Sequence, residues 1–300
     1  MTRRCALLAA LLCCWTVPGT GAASVQSEPS GERPPMLERV AVIGASVTDG
    51  FLLPNEVDAM VTLADVIQAA SVFPIDAPFR KSSMLFFRDP VEYGTRYARA
   101  AQAQEPTLVV AIDFLFWFGY GFTMNEDTRL KQLETGLSLL DPFDCPVLVG
   151  DFPNLLVAAR EGVGIHGAPM ISEWQVPKPE TLALLNERLL EWAGAKPNVH
   201  VVPMTSFLEQ IRSGAALEIQ GCCWPEDSLE LLIDKDLLHT TFEGTIALTL
   251  LALETLVKGE EGINKEHFHW DRQLVRKRAL EARAKEREQR LGKTAETSDD

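Results

Sequence analysis

Residues 40–50 have the sequence Val-Ala-Val-Ile-Gly-Ala-Ser-Val-Thr-Asp-Gly, an apolar run of strand length that ends in a turn of small residues. A buried parallel strand has this composition, and in open α/β sheets ligands bind beyond the carboxyl ends of such strands. Ser46, at the apex of the turn, therefore lies where a nucleophile would lie. Gly-x-Ser turns also occur as plain strand-to-helix connections, so this stretch alone leaves the function open.

The rest of the chain alternates between apolar runs of strand length and segments with helical spacing of apolar residues. This βαβ alternation predicts an α/β fold with three layers (α/β/α) and a doubly wound, mostly parallel sheet. The later predicted strands are residues 107–113, 145–150 and 199–203, with a further candidate at 84–87. The predicted helices are residues 56–70, 89–104, 126–140, 179–193 and 246–257, and another that starts near 205.

The N-terminal segment has the parts of a secretory signal: a pair of arginines, a short apolar run and small residues before position 24. We predict that residues 1–23 are a cleaved signal peptide, which makes the mature protein secreted or periplasmic, without a stable membrane span. An uncleaved anchor is one alternative, although the apolar run is short for a transmembrane helix. A lipoprotein modified at Cys13 or Cys14 is another.

Three further segments follow the signal. Residues 24–37 are rich in Ser, Glu, Gly and Pro, which predicts a flexible linker, and residues 38–258 carry the α/β pattern. Residues 259–300 are dominated by Lys, Arg and Glu without an apolar stripe, which predicts a helix exposed on all sides or a disordered tail. His267 and His269 in this tail have no spaced carboxylate or cysteine beside them, so we expect no metal site there.

The composition excludes several classes of partner. A formal charge of −14 argues against nucleic acid and against an anionic membrane surface, both of which bind to a basic face of a protein.

Signal cleavage would leave three cysteines, Cys145, Cys222 and Cys223, which cannot all pair with one another. The sequence does not decide whether Cys145 forms a disulfide with one of the other two.

Residues 236–244, Asp-Leu-Leu-His-Thr-Thr-Phe-Glu-Gly, form the second informative stretch. An aspartate three residues before a histidine lets the carboxylate hold one imidazole nitrogen while the other nitrogen faces a pocket. A serine hydroxyl is a poor nucleophile at neutral pH, so it needs such a base within hydrogen-bond reach and a third group to orient the base. Ser46, His239 and Asp236 are therefore the candidate catalytic residues, and a structural histidine is the alternative.

Together these stretches resemble the SGNH or GDSL-type serine hydrolases. The first motif of that family, Gly-Asp-Ser-x-Thr-x-Gly, matches residues 44–50 except at Ala45. Its last motif, Asp-x-x-His followed by a glycine five residues after the histidine, matches Asp236, His239 and Gly244. The resemblance covers about residues 38–258. It implies an acyl-enzyme formed on Ser46, and it requires no metal or organic cofactor.

The middle motifs of the family match less well. The second motif supplies a glycine whose N–H joins that of Ser46 in the oxyanion hole, and Gly94 is the only glycine between Gly50 and Gly119. The third motif supplies an asparagine where this chain has Asp113, and loss of one oxyanion donor typically costs about 2.7–4 kcal/mol. Asp113 could be protonated and donate, could turn away and cap the next segment, or could mark a site that no longer hydrolyses esters.

Residues 114–122 follow Asp113 and contain six aromatic side chains. Phe114 and Trp117 are candidates for an apolar pocket beside Ser46, and core packing is the alternative. Asp151, at the end of the next predicted strand, is a candidate polar wall of the same pocket or a helix cap.

We therefore predict an exported serine hydrolase, an esterase or lipase, that cleaves a carboxylic ester in a small molecule, a polysaccharide or a lipid. The altered residues Ala45 and Asp113 motivate an alternative from another class, a binding or scaffold protein with little or no turnover. A flavodoxin-like nucleotide binder is a third interpretation, but the Gly44–Gly50 turn matches neither the P-loop nor the dinucleotide fingerprint. The ester, the oligomeric state and the role of the tail stay open.

Overall fold

The computed structural model describes residues 32–123 and 125–296 of the chain, with side chains up to residue 288. The predicted signal peptide at residues 1–23 and the first part of the linker lie outside the described residues. Within the described residues, no helix is both long enough and apolar enough to cross a membrane.

Five parallel strands form the central sheet, in the order β2-β1-β3-β4-β5. They are β1 Val40–Gly44, β2 Phe79–Ser82, β3 Leu108–Ala111, β4 Val147–Gly150 and β5 Val199–Val202. All residues of β1, β3 and β4 are buried, as expected for strands covered on both faces. The predicted α/β class with a mostly parallel sheet is confirmed. A separate antiparallel hairpin, β6 Leu217–Ile219 with β7 Cys222–Trp224, was not predicted.

Helices cover both faces of the sheet. The α-helices of the described residues are α1 Ser46–Asp49, α2 Leu53–Val57, α3 Leu63–Ala70, α4 Pro90–Gln102, α5 Phe116–Tyr120, α6 Glu126–Leu140, α7 Leu156–Glu161, α8 Pro179–Gly194, α9 Met204–Arg212, α10 Leu229–Leu232, α11 Phe242–Gly259 and α12 Arg272–Glu296. The β1-to-β2 connection runs along the sheet in the opposite direction to the β3-to-β4 and β4-to-β5 connections. Right-handed crossovers therefore place α3 on the face opposite to α6 and α8.

Two sequence predictions about local structure are wrong. The predicted helix at residues 56–70 is interrupted, because Asp58 has a left-handed backbone (φ 49°) and Thr62 starts α3 with a capping box to Asp65. The predicted strand at 84–87 is a 3-10 helix, Met84–Arg88. The strand of this region is β2, whose residues Phe-Arg-Lys-Ser are half exposed at the sheet edge and carry no apolar run.

The charged C-terminal segment forms α12, which packs against α3. The sequence predicted a helix exposed on all sides or a disordered tail, but Val275 and Ala279, one turn apart, are fully buried. The guanidinium of Arg278, between them in sequence, donates to the backbone carbonyls of Ala69 (2.8 Å) and Ser71 (3.2 Å). The half-buried Leu280 adds to this small apolar patch, and arginines such as Arg278 and Arg283 supply polar contacts, so the sequence shows no recognisable apolar stripe.

The sheet order places one crevice at the centre of the molecule. From β1 the chain continues to β2 on one side of the sheet, and β3 lies on the other side. The loops after β1 and β3 therefore diverge at the carboxyl ends of these strands, which is where ligands bind in open α/β sheets. Ser46 follows β1, and Asp113 follows β3.

Candidate active site

Ser46 is the first residue of the short helix α1, which leaves β1 through a tight turn. A side chain at Gly44 is excluded, because a Cβ atom there would lie 2.1 Å from Asp113 Oδ1 and 2.3 Å from Thr48 Oγ1. Gly50 ends the helix with φ +72°, and a Cβ atom there would lie 1.8 Å from the carbonyl oxygen of Val61. The two glycines of the first motif thus allow the close approach and the left-handed turn that present Ser46.

His239 and Asp236 complete a continuous hydrogen-bonded chain with Ser46. Nε2 of His239 lies 2.9 Å from Ser46 Oγ, and Nδ1 lies 2.6 Å from Asp236 Oδ2. Asp236 Oδ1 also accepts the backbone N–H groups of Leu238 and His239, both at 2.9 Å. The structure thus brings together the three predicted catalytic residues. In sequence Ser46 is 193 positions from His239, and Asp236 is 3 positions from it.

The surroundings of Asp236 fix the orientation of the imidazole. Burial opposes ionisation of Asp236, but hydrogen bonds from the His239 ring and from two backbone N–H groups outweigh it and lower the pKa of this carboxyl below its ordinary value. Since an ionised carboxylate only accepts, Nδ1 of His239 carries a proton, and in the neutral imidazole Nε2 is then the acceptor that faces the Ser46 hydroxyl. The ring of Phe51 packs edge-on against the imidazole, with centroids 4.9 Å apart.

Asp113 binds the turn that carries Ser46. Its carboxylate accepts the N–H groups of Ala45 (2.9 Å), Val47 (2.9 Å) and Thr48 (3.1 Å), and the Thr48 hydroxyl at 2.5 Å. Burial raises its pKa above the ordinary range, and these four hydrogen bonds act in the opposite direction. Asp113 thus turns away from the oxyanion position, as one of the three alternatives predicted. It caps α1, however, and not the segment that follows Asp113 in sequence.

The N–H of Ser46 is left available by this arrangement. Asp113 holds the N–H groups of the residue before Ser46 and of the two residues after it. Among the described residues, the Ser46 N–H donates to no protein acceptor. It therefore points out of the first turn of α1 as a free donor beside the serine hydroxyl, which is the position of an oxyanion donor.

Gly94 was predicted to supply a second donor, and this prediction is wrong. Gly94 lies inside α4, where a backbone N–H bonds to the carbonyl four residues earlier. A Cβ atom at Gly94 would meet the side chains of Phe118, Leu139 and Phe114, so the glycine allows helix packing. The chain spacing pointed to this residue only because no other glycine lies in that part of the sequence.

Two cavities meet at Ser46. The enclosed cavity, about 60 Å³, is named for its walls, which are apolar almost throughout and contain no exposed residue; they include Phe116, Met204, Phe207, Leu208 and Leu248. The open cavity, about 90 Å³, is named for the exposed residues Met84, Phe122 and Met170 in its walls, which also include Phe51, Phe87 and His239. Ser46, Trp117 and Leu238 contribute to both cavities and separate them.

The predicted pocket residues divide between the site and the core. Trp117 lies at the site, as predicted, and Asp113 borders the enclosed cavity. Phe114 does not line either cavity: it is fully buried and packs against Phe86 and Phe118. Asp151 is also absent from the cavity walls, because its carboxylate caps α9 by accepting the N–H of Thr205 at 2.7 Å.

Several residues of the site were missed because they come from segments without a motif. Phe51, Phe87, Met170 and Gln175 lie in loops or 3-10 turns, and Met204 starts α9. The only sequence signal for them was that apolar residues follow strand ends. Among the described residues, no group of three His, Cys, Asp or Glu side chains is arranged to hold a metal ion. Cys145, Cys222 and Cys223 are free cysteines.

Comparison with known proteins gives structural similarities only. No protein-family model matches the sequence, and no curated protein matches it. The chain is similar to the C-terminal catalytic domain of peptidoglycan O-acetyltransferase A from Streptococcus pneumoniae, with 13% identity, a TM-score of 0.40, and coverage of 74% of this chain and 92% of that one. It is also similar to a putative acylhydrolase from Bacteroides fragilis, with 15% identity, a TM-score of 0.40, and coverage of 72% and 85%.

Proposed function

We propose that this protein is a serine hydrolase that cleaves a carboxylic ester through Ser46, His239 and Asp236. One observation carries the proposal: an unbroken hydrogen-bonded chain from the Ser46 hydroxyl through His239 to a buried, ionised Asp236. A structural histidine would not need its free ring nitrogen directed at a hydroxyl that lies between two cavities. This arrangement is the one that activates a serine nucleophile.

The proposed reaction proceeds in two halves. Ser46 Oγ attacks the carbonyl carbon of the ester while Nε2 of His239 takes the hydroxyl proton, and the Ser46 N–H donates to the developing oxyanion. His239 then gives that proton to the alkoxide as the carbon–oxygen bond breaks, which releases an alcohol and leaves the acyl group on Ser46. Water, deprotonated by His239, attacks the acyl-enzyme, and His239 returns the proton to Ser46 Oγ as the acyl–oxygen bond breaks and the acid leaves. Throughout, Asp236 holds the imidazole in place and stabilises its positive form.

A second candidate function follows from Asp113. The family asparagine would donate to the oxyanion, whereas Asp113 accepts four hydrogen bonds from the β1–α1 turn. Only the Ser46 N–H is then an identified oxyanion donor, and one missing donor costs about 10²–10³ in kcat. A protein that binds esters with very slow turnover is the alternative that this observation favours.

Covalent labelling with a short-chain fluorophosphonate separates the two. We expect stoichiometric labelling of the wild type, mapped to Ser46 by peptide mass spectrometry, and none in Ser46→Ala or His239→Ala. Ser138→Ala and His166→Ala, which remove exposed residues of the same types, are the matched controls and should label like the wild type. A folded wild type that stays unlabelled would contradict the hydrolase and support the binding protein.

We also propose that the protein acts outside the cytoplasm, on the basis of the signal-like composition of residues 1–23. N-terminal sequencing of the mature chain should then begin near Ser24. A chain recovered with its N-terminal residues intact, or with lipid on Cys13 or Cys14, would favour one of the anchored alternatives.

A further inference from the structure

The two cavities at Ser46 differ in which catalytic groups they contain. Ser46 borders both, but His239 is part of the wall of the open cavity only. This asymmetry has a chemical meaning under the proposed function, because the two parts of an ester need different groups. The acyl part stays bonded to Ser46, whereas the alcohol part must receive a proton from His239.

The leaving oxygen must lie beside Nε2 of His239, since proton transfer requires hydrogen-bond contact. The alcohol part therefore extends into the open cavity, and the acyl part extends from Ser46 into the enclosed cavity. The exposed rim of the open cavity agrees with this, since Phe122 is 55% exposed and Met84 is 40% exposed. An alcohol bound there can leave, and water can enter, while the acyl group remains on the enzyme.

The volume of the enclosed cavity limits the acyl group, and the exposed rim of the open cavity indicates the kind of alcohol. An apolar cavity of about 150 Å³ holds benzene, which has six heavy atoms, so at that ratio the enclosed cavity of about 60 Å³ holds two or three. The open cavity continues into an exposed aromatic rim, where Phe122 packs against Phe87 and Trp174 with ring centroids 5.5 and 5.6 Å apart. Aromatic rims of this kind bind flat or bulky apolar groups.

We infer that the substrate is an ester of a short acyl group, with two or three carbons, and a bulky apolar or aromatic alcohol. This inference rests on the proposed function and extends it to both sides of the scissile bond. It assigns the enclosed cavity to the acyl group and the open cavity to the alcohol, with Trp117 and Leu238 as the partition between them.

Two variants test the assignment separately. Met204→Ala enlarges the enclosed cavity at a half-buried residue, and Phe122→Ala removes an exposed side chain from the rim of the open cavity. Leu184→Ala, 48% exposed on α8, is the matched control for an exposed apolar truncation. The substrates are acetyl and octanoyl esters of ethanol and of 2-naphthylmethanol, two primary alcohols chosen so that leaving-group chemistry stays comparable. For each protein, kcat/KM is measured on all four esters.

In the wild type we expect acetyl esters to be preferred over octanoyl esters, and naphthylmethyl esters over ethyl esters. Met204→Ala should raise the octanoyl-to-acetyl ratio about 10-fold or more, since a single methylene in an apolar pocket is worth about 10–200-fold, and leave the alcohol preference unchanged. Phe122→Ala should lower the naphthylmethyl-to-ethyl ratio about 5-fold, as expected for loss of one aromatic contact, and leave the acyl preference unchanged. Leu184→Ala should change neither ratio.

The assignment is overturned if the two effects are exchanged between the variants, or if neither ratio moves in a protein that labels with fluorophosphonate. In that second case the proposed hydrolase stands and only the subsites are wrong. A folded wild type that neither labels nor hydrolyses any of the four esters overturns both the subsites and the proposed function.

Discussion

Replacement of Asp113 by asparagine, the residue of the family motif, should impair this protein. The carboxylate of Asp113 accepts four hydrogen bonds, three from backbone N–H groups and one from Thr48 Oγ1. In Asp113→Asn only one side-chain atom is an oxygen, so the N–H groups of Val47 and Thr48, which both donate to Oδ2, would face an N–H₂ group if Oδ1 keeps its place. Reversal of the amide would instead leave the Ala45 N–H and the Thr48 hydroxyl without their acceptor.

The size of the effect follows from these contacts. Two hydrogen bonds to a charged acceptor are worth about 1.5–3 kcal/mol each, or about 3–6 kcal/mol together. Burial raises the pKa of Asp113 and so outweighs these hydrogen bonds in their effect on the charge. The variant still leaves two N–H groups without an acceptor, at about 1–3 kcal/mol each, so we expect the unfolding free energy to fall by about 2–4 kcal/mol. Because the lost contacts hold the turn that presents Ser46, the labelling rate should fall by about 10–100-fold, the scale of an ångström-sized misplacement.

Urea unfolding and the rate of fluorophosphonate labelling measure the two effects. Asp151→Asn is the matched control, because Asp151 is also a strand-end aspartate that caps a helix, yet it does not contact the Ser46 turn. This control should lose stability with little change in labelling rate. An Asp113→Asn protein that is as stable as the wild type and labels faster would refute the reasoning, and would show that position 113 works best as an oxyanion donor.

Three further changes test other parts of the structure. Asp236→Asn should lower kcat by about 10⁴-fold, the loss typical of a triad whose histidine has the wrong tautomer, as measured by ester hydrolysis. The pKa of Asp236 in the folded protein lies below its ordinary value. The stability that this carboxylate contributes is therefore present above the unfolded pKa of about 3.9 and is lost as the pH falls through the folded pKa. The urea unfolding free energies of wild type and variant should accordingly converge in acid. Arg129→Met should lower the unfolding free energy by at least about 3 kcal/mol, since this buried guanidinium donates to five backbone carbonyls within residues 119–123 and 174–175. The control Arg188→Met, at a half-exposed residue, should change it little. Val275→Asp should release α12 from α3 and expose its amides to hydrogen exchange, and Lys277→Asp on the exposed side should not.

The parts of the fold that could be predicted from sequence are those where burial dictates composition. Strands β1, β3 and β4 are covered on both faces, so each is a continuous apolar run bounded by turn residues. Strand β2 lies at the edge and is held by backbone pairing to β1, which leaves its side chains free to be Phe-Arg-Lys-Ser. Its position is therefore set by tertiary contacts that no local pattern reveals.

In the candidate site, too, some features follow from local sequence and others only from tertiary contacts. The contact between Ser46, His239 and Asp236 could be predicted because two short motifs carry these residues on turns of the sequence, and their catalytic roles stay a proposal. Gly94 was wrong because many glycines serve helix packing, and only the fold shows which N–H groups are free. The cavity walls come from five or more separate segments, so the residues that set specificity, such as Met204 and Phe122, could not be identified before those segments were placed in space.

The two positions at which this chain differs from the first and third motifs that it resembles, Ala45 and Asp113, are in direct contact. The family carries an acidic residue directly before the serine and an amide after the third-motif strand, whereas this chain has Ala45 and Asp113 at those positions. Ala45 is buried, and its N–H donates to Asp113, so one carboxylate now holds the turn from the neighbouring strand. A second carboxylate at position 45 would be buried beside Asp113, where like charges destabilise each other.

This interpretation predicts a specific pattern in a double-mutant cycle. Ala45→Asp alone should be destabilising because it places two carboxylates together, and Asp113→Asn alone should be destabilising because it removes the acceptor. The combined variant should recover at least about 1 kcal/mol relative to the sum of the single changes, within the range of coupling between contacting residues. If the two changes are additive in urea unfolding, the two positions are independent, and the acceptor role of Asp113 is unrelated to the missing acidic residue before Ser46.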